Sequence, residues 1–321
     1  GLSALCPLCL AWSLSVGAVP VPLRVVLNTV LDLSGPQQDF IILQARLPRS
    51  LLALITGGAL ALAGVIVQTL LRNPLASPKI IGVNSGAALA VLLAFSASTT
   101  LPLTVLPVVA GIGGVLAAAC IYVLAQLPHV GHAKLILIGL AVGMTCDAVI
   151  DFLLVTADTQ TVSAPLIWLT GALWGRGWPH VHTVWVALVA LMLISAFLHH
   201  RLDLLRLSEA QARGVGVDIA RERLALLFIA TLLAAISVSV VGVLGFVGLM
   251  APHMARALVG ERHSRLIPIA VLIGALLVLI TDTAGRSLFP PLEISAGILT
   301  ALLGAPFFIY LLMRQTKGPM G

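Results

Sequence analysis

The chain has 321 residues, 60% of them hydrophobic and 9% charged, with a mean hydropathy of +1.11. Too few charged groups remain to solvate the surface of a water-soluble domain, so a globular enzyme fold is excluded. The net charge is +6 with a pI of about 9.7. That excess needs no nucleic-acid partner, because basic loops beside a membrane and its anionic lipid account for it.

A bilayer-spanning helix takes about 20 apolar residues. Ten such segments follow one another, at 2–19, 49–71, 80–97, 102–127, 135–157, 180–198, 224–243, 245–259, 267–284 and 295–313. The apolar blocks are far longer than the alternating segments of a membrane barrel. The expected architecture is an all-α membrane protein of about ten transmembrane helices in one domain over 1–321. With the amino terminus inside, Arg72, Lys79, Lys134, Arg201, Arg206, Arg213, Arg221, Arg223, Arg256, Arg262, Arg265, Arg314 and Lys317 fall on the inner side. These are 13 of the 18 Lys and Arg, leaving Arg24, Arg46, Arg49, Arg176 and Arg286 outside. The bias follows the positive-inside tendency and predicts both termini in the cytoplasm.

Cys6, Cys9, Cys120 and Cys146 all lie in apolar segments and read as small hydrophobes, although Cys6 and Cys9 have a metal-like spacing. Gly57, Gly58 and Gly64, then Gly82 and Gly86, then Gly111, Gly113 and Gly114 sit among alanines in the second, third and fourth spans. Such residues let helix backbones approach closely in lipid. RNPLASP at 72–78 is echoed by APHMAR at 251–256, which hints at an internal repeat of the inverted kind found in transporters.

Three groups of polar residues bear on function. Asp147 and Asp151 lie one turn apart in the fifth span and Asp282 lies near the outer end of the ninth. Carboxylates in spans are costly. They read either as helix-bonding groups at a wet cavity or as the sites of a proton-coupled secondary transporter. Arg46, Arg49 and Arg286 fall at outer helix mouths, as interfacial anchors or as a cationic rim for an acidic protein or anionic substrate.

The third group is the island from His199 to Arg223, HHRLDLLRLSEAQARGVGVDIARER, the longest polar stretch of the chain. Ser208 is a candidate N-cap with Glu209 in the first turn, and Gly214 and Gly216 are breakers. Asp218 is placed to cap a second short helix holding Arg221, Glu222 and Arg223. A glycine-bounded knob at the membrane surface suits a docking partner, where a plain amphipathic linker would need no such architecture. No GxxxxGK[ST] loop, HExxH or nucleophile elbow occurs, so a non-catalytic subunit is expected, with any ATP hydrolysis supplied by a partner.

Five blocks carry a resemblance. They are ARLPRSLLALITGGALALAGVIVQTLLRNPLASPKIIGVNSGAAL (45–89), WLTGALWGRGW (168–178), LSEAQARGVGV in the island, GFVGLMAPHMAR (245–256) and TDTAGRSLFPPLEISAGILTALLGAPFFIYLL (281–312). Together they closely resemble the FecCD permeases of ABC importers for ferric siderophores and vitamin B12. The resemblance implies two permease subunits, alike or different, around a central path. It also implies a cytoplasmic ABC ATPase dimer that uses ATP and Mg, a periplasmic binding protein, and location in the bacterial inner membrane. It places ATPase coupling at Leu205, Leu207, Ser208, Glu209, Ala210, Arg213, Gly214, Gly216 and Val217. Binding-protein docking falls to Arg46, Arg49 and Arg286. Gly82, Asn84, Ser85 and Gly86 are expected along the translocation path, and no metal or cofactor is expected on this chain. The 168–178 and PPLEISAG segments lean toward a ferric siderophore or ferric citrate, with haem or cobalamin as alternatives.

Overall fold

The computed structural model describes residues 2–17, 19–30, 39–79, 82–97, 102, 104–125, 132–156, 165–205 and 219–315. Every expected span contains a helix: α1 (Leu2–Ser15), α3 (Leu47–Leu70), α4 (Val83–Ala97), α5 (Leu106–Ala125), α6 (His132–Thr156), α7 (Trp178–Phe197), α9 (Ile219–Val241), α10 (Val247–Val259), α11 (His263–Gly285) and α12 (Ala296–Gln315). Two short helices, α2 (Leu23–Val30) and α8 (His199–Leu204), lie between them. Among the described residues, six helical segments have the length and composition to cross a membrane. The protein is a multi-pass helical membrane protein.

Boundaries moved where a proline or a charge had been read as a stop. The second span begins at Phe40, because a π-helical turn, Phe40–Arg46, runs straight into α3. Pro48 in the first turn of α3 has no N–H to give, and the wider turn before it keeps the chain helical across that gap. At the other correction, Arg221, Glu222 and Arg223 form the first turns of α9 and not a separate short helix. Their long side chains can reach away from the apolar zone, so the backbone has no cause to break there.

The central helix is α3. In an apolar 18-residue stretch of the span that contains it 83% is buried, against 17% for such a stretch of α6, so α3 is the core of the bundle and α6 lies at its margin. Glycine makes this centre possible. A Cβ on Gly57 would run into the carbonyl oxygen of Gly274 in α11, and one on Gly64 into the backbone of Gly248 in α10. Gly86 of α4 meets Gly113 of α5 in the same way. Lipid offers no hydrophobic drive for helix association, so close backbone packing must hold these pairs. Pro78, the last residue of the first echoing segment, abuts Gly248 of α10, three residues before the second one begins.

Candidate functional site

The arginine group with Asp282, and the polar island, fall at the two ends of α3. At one end, Arg46, Arg49 and Arg286 do converge, but they turn inward. Arg46 is 6% exposed, and its Nη1 donates to the carbonyl oxygens of Leu14 at 2.7 Å and Ser15 at 3.3 Å, with Nη2 donating to Val19. Arg286, also 6% exposed, donates through Nη2 to the Ser13 carbonyl and to Ser13 Oγ at 2.8 Å. A helix leaves its last carbonyls without partners and carries partial negative charge there. The two guanidinium groups therefore cap the end of α1. Ser50 and Thr283 extend the contact through Ser13 Oγ, each at 2.9 Å. Burial pushes Arg286 down to about 10, with Asp282 opposing that and Arg49 adding to it, so the group stays charged near neutral pH.

Arg49 is engaged on two sides. Its Nε and Nη2 form a bidentate pair with Asp282 at 2.8–3.1 Å, and Nη1 donates to Glu293 at 2.8 Å. Asp282 is 1% exposed, whereas Glu293 keeps about a third of its side chain in the open. Asp282, read in the sequence as one possible proton site, thus has both oxygens held by an arginine. Glu293 was missed, although it stands in the quoted 281–312 block.

The opposite end of α3 adjoins the polar island. Of the expected coupling residues, Leu205 is described and buried; Leu207, Ser208, Glu209, Ala210, Arg213, Gly214, Gly216 and Val217 lie outside the described residues, as does Asp218. The flanks are well tied. Arg72 Nη2 donates to the Leu205 carbonyl at 3.1 Å, and Arg201 pairs with Glu222 at 2.6 Å. Asp203 Oδ1 accepts from the backbone N–H of His263 at 3.2 Å and lies 2.6 Å from its Nδ1. Nε2 of that ring is 2.9 Å from Thr69 Oγ1 near the end of α3. Asp203, His263 and Thr69 carry no motif, and only the fold brings them together.

The four expected path residues all lie in or beside α4 and are buried. Gly82, at φ +72°, faces Gly139 and Gly143 of α6, and Gly86 is used against α5, so both serve helix packing. Ser85 Oγ approaches Gly143, and Asn84 Oδ1 is buried with no partner. Asp147 and Asp151 are exposed on α6, beside Leu140, Met144, Phe152 and Val155 on a helix with little protein around it.

The sequence profile of the FecCD transport family matches residues 5–314. The chain belongs to the FecCD transport family. It is 44% identical over 308 residues to the Fe(3+)-citrate import system permease protein YfmE of Bacillus subtilis (strain 168), covering 95% of this chain and 91% of that protein. It is 40% identical over 307 residues to the Fe(3+) dicitrate transport system permease protein FecD of Escherichia coli (strain K12), covering 96% and 95%. A solved inward-facing structure of a metal-chelate type ABC transporter is 35% identical, with a TM-score of 0.85 and 98% of each chain covered. The fold of this FecCD chain is that of an ABC transporter permease.

Proposed function

We propose that this FecCD chain is the transmembrane permease subunit of an ABC importer that carries a ferric chelate, ferric citrate or a ferric siderophore, inward across the bacterial inner membrane. The observation that carries this reading is the identity of 44% over 95% of the chain with a ferric-citrate permease. A separate ATPase pair drives it from the cytoplasm, docking on the segment from Leu205 to Val217, and both termini lie on that side. A periplasmic binding protein feeds the end at Arg49.

The physical reading is alternating access. ATP binding and hydrolysis move the coupling segment, and packed helices rock because interfaces between them are bistable. The exposed carboxylates of α6 support a second permease subunit across the path. A charged group at mid-span costs about 3 kcal/mol against lipid, so Asp147 and Asp151 are better placed facing a partner or a wet path. A docking carboxylate from the binding protein would exchange with Glu293 on Arg49 Nη1, while Arg46 and Arg286 hold the surface in shape.

The test is uptake into proteoliposomes holding this chain with its partner permease, ATPase and binding protein. Iron-55 should enter as ferric citrate or ferric siderophore only when ATP is present inside, with haem and cobalamin as comparison substrates. Uptake that ignores ATP, or that follows an imposed proton gradient, overturns the reading.

A further inference from the structure

The helices α3 and α11 touch along their whole length in one antiparallel register. Arg49 pairs with Asp282 at one end. Eight residues further along α3, Gly57 meets Gly274, eight residues back along α11. At the other end Thr69 meets His263. From Arg49 to Thr69 is about 30 Å of helix at 1.5 Å per residue, the thickness of a bilayer core. Between the two polar ties no side chain intervenes at the glycine contact, so neither helix can shift alone without breaking backbone packing.

The Thr69 end of this pair is joined to the island, and Gln68 beside it is joined to α10 through Arg256. Asp203 in α8 accepts two hydrogen bonds from His263, one from its backbone and one from its ring. A carboxylate can only accept, so a proton sits on Nδ1; Nε2 meets Thr69 Oγ1, whose hydroxyl also lies 2.8 Å from the Val65 carbonyl one turn back in α3. His263 is 2% exposed and Thr69 8%, so water is kept from the contact between ring and hydroxyl, while the Asp203 side chain, 35% exposed, meets the solvent on its outer side. Leu202, one residue before Asp203, is fully buried, and Leu205, two after it, is held by Arg72 just beyond α3. The start of the coupling segment is thus fastened to the last turn of α3 and the first turn of α11 together.

We propose that Asp203, His263 and Thr69 are positioning residues that couple displacement of the island to the α3–α11 pair, which carries it as a rigid strut to the Arg49–Asp282 end. The proposal rests on the permease reading above. An ATPase that moves the segment after Leu205 would otherwise only bend a surface loop. The Asp203–His263–Thr69 link makes the same movement displace the two central helices at once, and the opposite end moves with them.

The experiment uses the complete reconstituted transporter with Asp203→Ala, Asp203→Asn and Thr69→Val. The first readout is chelate imported per ATP hydrolysed. The second is the effect of ATP on labelling of a single cysteine, Leu288→Cys in a background lacking the four native cysteines, by a membrane-impermeant maleimide. Leu288 is exposed at the Arg49 end. Asp203→Ala and Thr69→Val should keep the ATPase bound and hydrolysing. Import per ATP should fall about tenfold, the order of change that losing the Asp203 bonds or the Thr69 bond makes in an equilibrium. The ATP-dependent change in labelling should vanish with it. Asp203→Asn keeps an accepting oxygen and should stay near the parent. Thr69→Val keeps the side-chain shape and decides the matter should Asp203→Ala fail to assemble. Unchanged import per ATP and unchanged labelling in assembled variants overturn the strut. A parent protein with no ATP-dependent uptake would instead overturn the permease reading, a separate outcome.

Discussion

Removing either partner of the Arg49–Asp282 pair should have unequal costs, and the inequality follows from where Glu293 lies. Asp282 is 1% exposed and its two oxygens are both occupied by Arg49. Arg49→Met leaves that carboxylate buried with only the field of nearby Arg286 to offset it. Breaking a buried pair in this way costs about 3–5 kcal/mol. Asp282→Leu is milder, because Arg49 keeps its 2.8 Å bond to Glu293; about 2–3 kcal/mol is expected. The double variant, Arg49→Met with Asp282→Leu, removes both buried charges and should recover most of the loss, since apolar replacement of a buried pair is often neutral. The assay is the apparent melting temperature of the purified protein in detergent. At on the order of 2 °C per kcal/mol in a chain of this size, Arg49→Met should fall by about 6–10 °C. A double variant no better than the worse single one would refute the reasoning, as would equal losses in the two singles.

Two further outcomes test other contacts. Gly64→Ala should destabilise by at least about 1–3 kcal/mol, because the added methyl meets the backbone of Gly248; Gly245→Ala, with open space around it, should be within about 0.5 kcal/mol of the parent in the same melting assay. Glu293→Gln should tighten binding-protein docking several-fold at low ionic strength, measured by surface capture, with the gain fading as salt screens Arg49; unchanged affinity at all salt concentrations would remove Glu293 from the docking surface.

That each long apolar block is helical was legible in the sequence, because such blocks have no other stable form in lipid; the short helices α2 and α8 were not. Starts and stops were less so. The π-helical turn before Pro48 and the helical course of Arg221–Arg223 depend on backbone register, which composition does not encode. The convergence of Arg46, Arg49 and Arg286 was anticipated from their place at helix mouths, yet their inward direction was not. Which way a guanidinium turns depends on the carbonyls at the end of α1 and on Asp282, brought there from distant parts of the chain. Asp203, His263 and Thr69 were silent for the same reason. Each is ordinary in its own segment; the antiparallel register of α3 and α11 brings Thr69 to His263, and the packing of α8 on α11 adds Asp203.

The capture of α1 by two arginines has a consequence for how the protein is made. The carbonyls at the end of this first span are bound by Arg46, about thirty residues on, and by Arg286, 273 positions downstream of Ser13. Synthesis delivers the amino-terminal segment first. Its terminal carbonyls nevertheless reach their full set of partners only when the ninth span has entered the bilayer. A helix made early is thus locked late, and a nascent chain arrested before residue 286 would hold the end of α1 through Arg46 and the Ser13–Ser50 hydrogen bond, without the Arg286 cap.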